Sequence, residues 1–179
     1  LYGILRAGLI VVNVNPLYTA RELAHQLKDS EAKAIIIVEN FCHILQEVLL
    51  QTQVKHVITT QLGDLLKFPK SAIVNFVVKY VKKMVPAWNI PQAISFKQAL
   101  AKGAGKTVQS PEIQSSDIAF LQYTGGTTGV SKGAVLTHRN IIANILQARE
   151  WIKSTIKEGE EIIITPLPLY HIFSLTANC

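Results

Sequence analysis

Leu121-Gln122-Tyr123-Thr124-Gly125-Gly126-Thr127-Thr128-Gly129-Val130-Ser131-Lys132-Gly133-Ala134 packs four glycines, three threonines, a serine and a lysine between two apolar runs. Glycine lets backbone N–H groups come close to an oxyanion, and successive N–H groups form an anion nest. Hydroxyls add neutral donors or a magnesium ligand, and lysine adds a point charge. The stretch reads as a phosphate-binding loop. A surface turn also draws on Gly, Ser and Thr, but it needs only a few of them and no lysine at its end.

The flanks decide the kind of fold. Residues 117–123 read as one strand and 133–137 as another, so the loop joins strand to strand. The nucleotide loop of P-loop NTPases opens a helix instead and uses the helix N-terminus. The spacing fails that pattern too, because Lys132 follows Gly129 by three positions and Gly133 comes next. The dinucleotide pattern G-x-G-x-x-G is absent. With no helix dipole aimed at the anion, hydroxyls and Lys132 must supply more of the attraction, which accounts for the excess of threonine.

From Tyr123 to Gly133, and on through Leu136-Thr137-His138-Arg139-Asn140, the sequence resembles the signature loop of adenylate-forming enzymes. Pro166-Leu167-Pro168-Leu169-Tyr170-His171-Ile172-Phe173 resembles a second motif of that superfamily. Gly8-Leu9-Ile10-Val11-Val12-Asn13-Val14-Asn15-Pro16-Leu17-Tyr18 resembles the segment that precedes both. The wording is most similar to bacterial long-chain fatty-acid–CoA ligases, and the resemblance runs over the whole chain.

The resemblance implies an α/β fold, with largely parallel sheets flanked by helices, as part of the large N-terminal AMP-binding domain. Residues 1–179 are then a single partial domain, without the C-terminal domain. It implies two steps: a fatty-acid carboxylate attacks the α-phosphorus of ATP to give an acyl-adenylate and pyrophosphate, and coenzyme A then takes the acyl group as a thioester. Tyr123, Thr124, Gly125, Gly126, Thr127, Thr128, Gly129, Val130, Ser131, Lys132, Gly133 and Ala134 become the ATP-binding set. Thr127 is the candidate magnesium contact, with Thr128 beside it. Lys132 offsets developing charge, and Tyr170 and His171 border the acyl carboxylate and adenylate, which makes Lys132 and His171 the candidate catalytic pair. Without the resemblance, His171 reads as a satisfied loop histidine.

Composition fits this reading. Hydrophobic residues make up 49% and charged residues 17%, so a core is available and disorder is not expected. The net charge of +6 suits nucleotide phosphates or an anionic membrane surface; the lysines are spread out rather than interleaved with aromatics, so nucleic acid is not an expected partner. Cys42 and Cys179 give neither a disulfide framework nor a metal spacing, and they suit a reducing cytoplasm, with Cys42 as a small apolar filler. His25, His43 and His56 lack metal partners at useful spacing and are expected to be structural or solvated. Residues 162–179 carry no Asp, Glu, Lys or Arg, but Pro166, Pro168 and His171 argue against a spanning helix. Leu1 and Cys179 do not look like natural termini; we expect an excised fragment, inactive by itself, whose oligomeric state the sequence leaves open.

Outward from the loop, the elements follow from local signals. A helix ends near residue 8, and residues 10–14 read as a strand. Thr19 and Glu22 form a capping-box sequence for a helix to about Lys28, with Leu23 and Leu27 on one face. Residues 34–38 are a continuous apolar run, as in a strand buried on both faces. Asn40 reads as the cap of a helix to Leu50, and 54–59 as the next strand. This alternation predicts a parallel sheet. Residues 71–85 form an amphipathic helix ended by Pro86, with Asn75, Lys79, Lys82 and Lys83 on one face. Its apolar face either packs on its own domain, with the lysines in water, or meets the inner face of an anionic membrane. Ser95 caps a short helix, and Gly103-Ala104-Gly105-Lys106-Thr107 imitates the tail of a Walker loop but lacks its first glycine and its strand, so it reads as a loop. Thr137 caps a helix from His138 to about Lys153, with Ile141, Ile145, Ala148 and Ile152 as a buried face, and 160–165 read as a last strand. Two rival functions remain: an acyl-adenylate ligase serving a carrier protein, and a non-catalytic nucleotide-binding or membrane-docking module.

Overall fold

Polar caps set the helix starts where the sequence places them. Thr19, Ser95 and Thr137 each accept a hydrogen bond from the backbone N–H three residues on, while the side chain at that position (Glu22, Gln98, Asn140) accepts from the cap's own N–H. The computed structural model describes every residue except 125–129, 158, 163, 165, 169 and 179, and only the backbone of 177 and 178. The chain divides into two compact units, one made of residues 1–15 and 108–179 and the other of 16–107.

In the first unit, β5 (Ile118–Thr124) is the middle strand of a three-stranded sheet. On one side it pairs in parallel with β1 (Val11–Val12), and on the other antiparallel with β6 (Lys132–Thr137). Helices α1 (Tyr2–Arg6), α6 (His138–Ile152) and α7 (Ile172–Asn178) complete the unit. Val11, Ala119, Phe120 and Leu175 form its core, with Ile4, Leu5, Leu136, Ile141 and Ile172 packed against them. The segment joins strand to strand, as read, and the pair is antiparallel: Thr124 stands opposite Lys132 at its mouth.

The second unit is a parallel sheet in the order β2 (Ala34–Val38), β3 (His56–Thr60), β4 (Ile94–Ser95). Helices α2 (Ala20–Asp29), α3 (Cys42–Val48), α4 (Lys70–Phe76) and α5 (Phe96–Gly103) accompany it. Leu23 and Leu27 are buried, as their shared face predicts, and so are Leu45, Val48 and Val57. Cys42 is buried as well, and burial, with Glu39 adding like charge, pushes its thiol up to about 11.

Several expectations are corrected. The strand expected over 10–14 shrinks to Val11–Val12 and joins β5, not β2, because its partner is chosen by a contact more than a hundred residues away. Residues 34–38 are not buried on both faces: Ile35 is covered while Ile36 is half exposed. Asn40 is not a cap; its Nδ2 donates to the Met84 carbonyl at 2.9 Å, and α3 begins after Phe41 without a side-chain cap. The helix expected over 71–85 runs from Lys70 through a π turn at Val77–Val81, and Lys83 takes a left-handed φ of 51°, so the helix ends before Pro86. On α6 the stripe of Ile145, Ala148 and Ile152 is exposed, and of the four only Ile141 packs against the core. Of the strand expected over 160–165, the described residues Glu160, Glu161, Ile162 and Ile164 form none: Ile162 and Ile164 lie in solvent with no ladder partner among the described residues. Of residues 103–107, read as a loop, Gly103 instead closes α5 and 104–107 are loop.

Candidate functional site

The site grows from β5. The strand is covered on both faces, with Ala119, Phe120, Gln122 and Tyr123 all buried, and Thr124 emerges exposed at its end. Across the hairpin Tyr123 stands opposite Gly133. A β-carbon on Gly133 would lie 3.0 Å from two carbons of the Tyr123 ring, so the ring covers the space that only glycine leaves. This is the close approach that the sequence requires of one loop glycine, and the ring fixes the backbone on both sides of the loop mouth.

Of the predicted ATP-binding set, Tyr123 and Thr124 close β5, Val130 and Ser131 form the descending side of the loop, and Lys132, Gly133 and Ala134 begin β6. Lys132 is exposed on the hairpin's first rung. Gly125, Gly126, Thr127, Thr128 and Gly129 lie outside the described residues, and with them the candidate magnesium contact Thr127. The rims still present oxygen donors, the hydroxyls of Thr124 and Ser131, and hard oxygens are what magnesium takes. Among the described residues no three His, Cys, Asp or Glu gather into a metal cluster.

Tyr170 and His171 sit in the turn before α7, and three of the hydrogen bonds among the described residues tie that turn down. The His171 N–H donates to the Pro168 carbonyl at 2.9 Å. The Ser174 hydroxyl, itself buried, donates to the Leu167 carbonyl at 2.8 Å. The third comes from the sheet: Nε2 of Gln122 donates to the Tyr170 carbonyl at 3.0 Å. The phosphate-loop strand and the Tyr170–His171 turn, 48 residues apart in sequence, are therefore joined side by side. Nδ1 of His171 accepts the Phe173 N–H at 3.3 Å, which assigns the proton of the neutral ring to Nε2, and the residue is exposed. Sequence reasoning missed Gln122; a polar residue at a strand position where its neighbours are apolar was the available signal.

Thr124 and Lys132 thus face each other where the glycine- and threonine-rich segment leaves the sheet, and the Tyr170–His171 turn is bonded to the same strand. The AMP-binding enzyme family matches residues 1–179, and the chain belongs to that family. It is 58% identical over 179 residues to a long-chain-fatty-acid–CoA ligase of Salmonella typhimurium, a match that covers 100% of this chain and 32% of that protein. It is 56% identical over 182 residues to the protein of that description from Haemophilus influenzae, with 100% and 32% covered. Among solved structures, a long-chain-fatty-acid–CoA ligase from Archaeoglobus fulgidus superposes with a TM-score of 0.68 at 25% identity, over 98% of this chain and 29% of that one. The chain thus spans about a third of the length of the curated relatives it matches.

Proposed function

We propose that the full-length protein is a long-chain fatty-acid–CoA ligase that works through an acyl-adenylate. The observation that carries this is the 58% identity to such a ligase across all 179 residues, which include the loop, the Tyr170–His171 turn and the segment before them. In the first step a carboxylate oxygen forms a bond to the α-phosphorus of ATP, and the bond to the bridging oxygen breaks as pyrophosphate leaves. In the second, the coenzyme A thiolate attacks the acyl carbon and AMP leaves. The first step brings two anions together, so positioning and charge neutralisation matter more than proton transfer. Residues 124–132 hold the β- and γ-phosphates, Lys132 offsets the charge that develops on the leaving pyrophosphate, and Tyr170 and His171 border the carboxylate. Magnesium, when bound with ATP, neutralises phosphate charge, and Thr127 is the residue we assign to it. ATP and coenzyme A as co-substrates place the reaction in the cytoplasm.

The test is exchange of labelled pyrophosphate into ATP by the full-length protein, over acids from acetate to oleate with amino and aromatic acids included. Stimulation by long chains is expected. Stimulation by another class of acid would keep the adenylation and overturn the substrate. Transfer of the acyl group to a carrier protein but not to coenzyme A would overturn the second step. No exchange with any acid would leave a nucleotide-binding module.

A second reading, peripheral membrane contact through 71–85, rests on which way α4 and its π turn face. The side turned to the protein is polar. Ser71 is buried, with Lys97 reaching its hydroxyl at 3.5 Å; Asn75 accepts the Gly63 N–H at 2.7 Å and donates to Asp64 at 3.4 Å; Lys79 pairs with Glu39 at 3.8 Å. The apolar stripe of Ile73, Phe76 and Tyr80 faces outward, with the two rings 5.2 Å apart between centroids. Residues 65–84 hold five lysines and no acidic residue. An outward apolar stripe with lysines around it suits an anionic lipid surface, where each lysine adds about 1 kcal/mol. No helix among the described residues is long and apolar enough to cross a membrane. The full-length protein should sediment with phosphatidylglycerol-containing vesicles more than with phosphatidylcholine vesicles, and F76S with Y80S should abolish the difference. Equal sedimentation with both lipids would remove this reading.

A further inference from the structure

We infer that Gln122 is a positioning residue of the adenylation step: it holds the Tyr170 carbonyl, and through it the Tyr170–His171 turn, in register with β5, the strand that ends at Thr124. This inference rests on the ligase reading above. Gln122 is 5% exposed, in the middle of β5, two residues before Thr124. Its Nε2 donates to the Tyr170 carbonyl at 3.0 Å. Its Oε1 is buried without a hydrogen-bond partner among the described residues. Flipping the amide would set oxygen against the carbonyl oxygen, so this orientation is the one that bonds.

The buried, directed donor is the telling feature. Burying an amide oxygen without a partner costs stability, and an apolar side chain of similar volume avoids that cost. Val11, Ala119 and Phe120 supply apolar packing on this sheet already. What glutamine adds here is a directed donor, and the donor is aimed at the one residue that precedes His171. Ties such as those from His171 to Pro168, from Ser174 to Leu167 and from Phe173 to the His171 ring lie within residues 167–174 and set its internal shape. Packing of Ile172 and Leu175 against Ala119 and Phe120 holds α7 on β5, and the bond from Gln122 adds the directed contact that fixes the Tyr170 carbonyl on the strand. In-line attack needs the carboxylate and the α-phosphorus held in near-attack geometry, so a turn free to slide along the strand loses rate before it loses nucleotide affinity. That separates positioning from a purely structural role, in which affinity and stability fall together.

Two variants of the full-length protein test this by pyrophosphate exchange. Q122L removes the donor at nearly constant volume. We expect kcat to fall by about tenfold or more, with KM for ATP held within about twofold. Q122E gives a second readout on a folded protein. A carboxylate has no proton to give the Tyr170 carbonyl, whereas the protonated acid does, and burial favours the protonated form. The activity of Q122E relative to the native protein should therefore fall as pH rises. Native kcat in Q122L, a loss carried equally by ATP affinity, or a flat Q122E ratio would each overturn the assignment. If the native protein shows no exchange with any acid, the ligase reading fails and takes this inference with it; if it exchanges and is indifferent to Gln122, only the inference fails.

Discussion

Replacing Gly133 with alanine probes the loop mouth directly. The new β-carbon would lie 3.0 Å from Cε2 and Cζ of Tyr123 and 3.4 Å from its hydroxyl oxygen. Carbon pairs settle at about 3.5–4.0 Å, so two contacts are each short by roughly half an ångström. The ring cannot swing freely, because Tyr123 is buried in β5 and its backbone is laddered to Gly133 itself. Overpacking of this kind costs about 1–3 kcal/mol. The cost should appear as a lower opening free energy for amides over 118–137, read by native-state hydrogen exchange of the full-length protein. Because Thr124 follows Tyr123, the displaced strand also moves the start of the loop, and pyrophosphate exchange should slow by about tenfold, or ~1.4 kcal/mol. A double-mutant cycle gives the decisive control. In a Tyr123→Leu background the ring is gone, so adding Gly133→Ala should cost under ~0.5 kcal/mol, a coupling within the usual range for residues in contact. Gly3→Ala, where nothing lies within 4 Å, should be neutral or slightly stabilising. Unchanged protection in Gly133→Ala, or an equal cost in the Tyr123→Leu background, would refute the steric argument.

Gly63→Ala should detach the polar face of α4: its β-carbon would come within 2.7 Å of the Asn75 side-chain oxygen and 2.8 Å of the Ser71 carbonyl. The expected loss is about 2–4 kcal/mol of local stability, from overpacking plus a strained buried hydrogen bond, seen as faster hydrogen exchange over 70–81. Asp64 makes the same region acid-sensitive. Burial raises its pKa, but the Gln61 N–H, hydrogen bonds from Lys97 and Thr60 and the Lys97 charge together bring it below the ordinary value. A depressed folded-state pKa means stability that is present above the unfolded value of about 3.9 and lost as pH falls through the folded one. Protection over 60–81 should drop in that acid window, and Asp64→Asn should flatten the drop; an identical profile in the variant would remove Asp64 as its source. Cys42, buried with its thiol pushed up to about 11, should resist iodoacetamide at pH 8 until the protein is unfolded in urea. Labelling of the folded protein at Cys42 would contradict that burial.

Local chemistry was legible, and long-range pairing was not. Thr19, Ser95 and Thr137 announce their helices because a cap and its partner three residues on form a short-range motif. The loop announces itself because glycine, hydroxyl and lysine in one stretch serve few other purposes. The sheet to which a strand belongs is decided by distant contacts, so Val11–Val12 could not be assigned to β5 from its own neighbourhood. Asn40 looked like a cap because its type suits one, but the Met84 carbonyl, 44 residues away, claimed it. On residues 70–81 the periodicity was right and its direction open; Gly63, Asp64 and Glu39 turn the polar side inward. Gln122 escaped notice because a single amide in an apolar strand has no pattern, and its meaning appears only with Tyr170 beside it.

The proposed phosphate site, on an antiparallel hairpin, faces an electrostatic problem that a helix N-terminus does not. Sheets carry only small net dipoles, so no macrodipole adds to the loop's N–H groups. Lys132 is the formal charge on the described part of the hairpin mouth, and its backbone is fixed opposite Thr124 while its side chain reaches into solvent. In water a unit charge at 4 Å is worth about 1 kcal/mol, but at an effective dielectric near 20 it is worth about 4 kcal/mol. An exposed lysine therefore does little for nucleotide docking in an open site and much more once water has been displaced around the reacting phosphates. Lys132→Ala should accordingly lower kcat for pyrophosphate exchange by at least about tenfold, ~1.4 kcal/mol, while KM for ATP rises by less than about threefold. Lys132→Arg, which keeps the charge but changes its shape, should recover part of the rate. A loss lying wholly in ATP KM would make Lys132 a docking charge, and an unchanged rate would remove it from the mechanism.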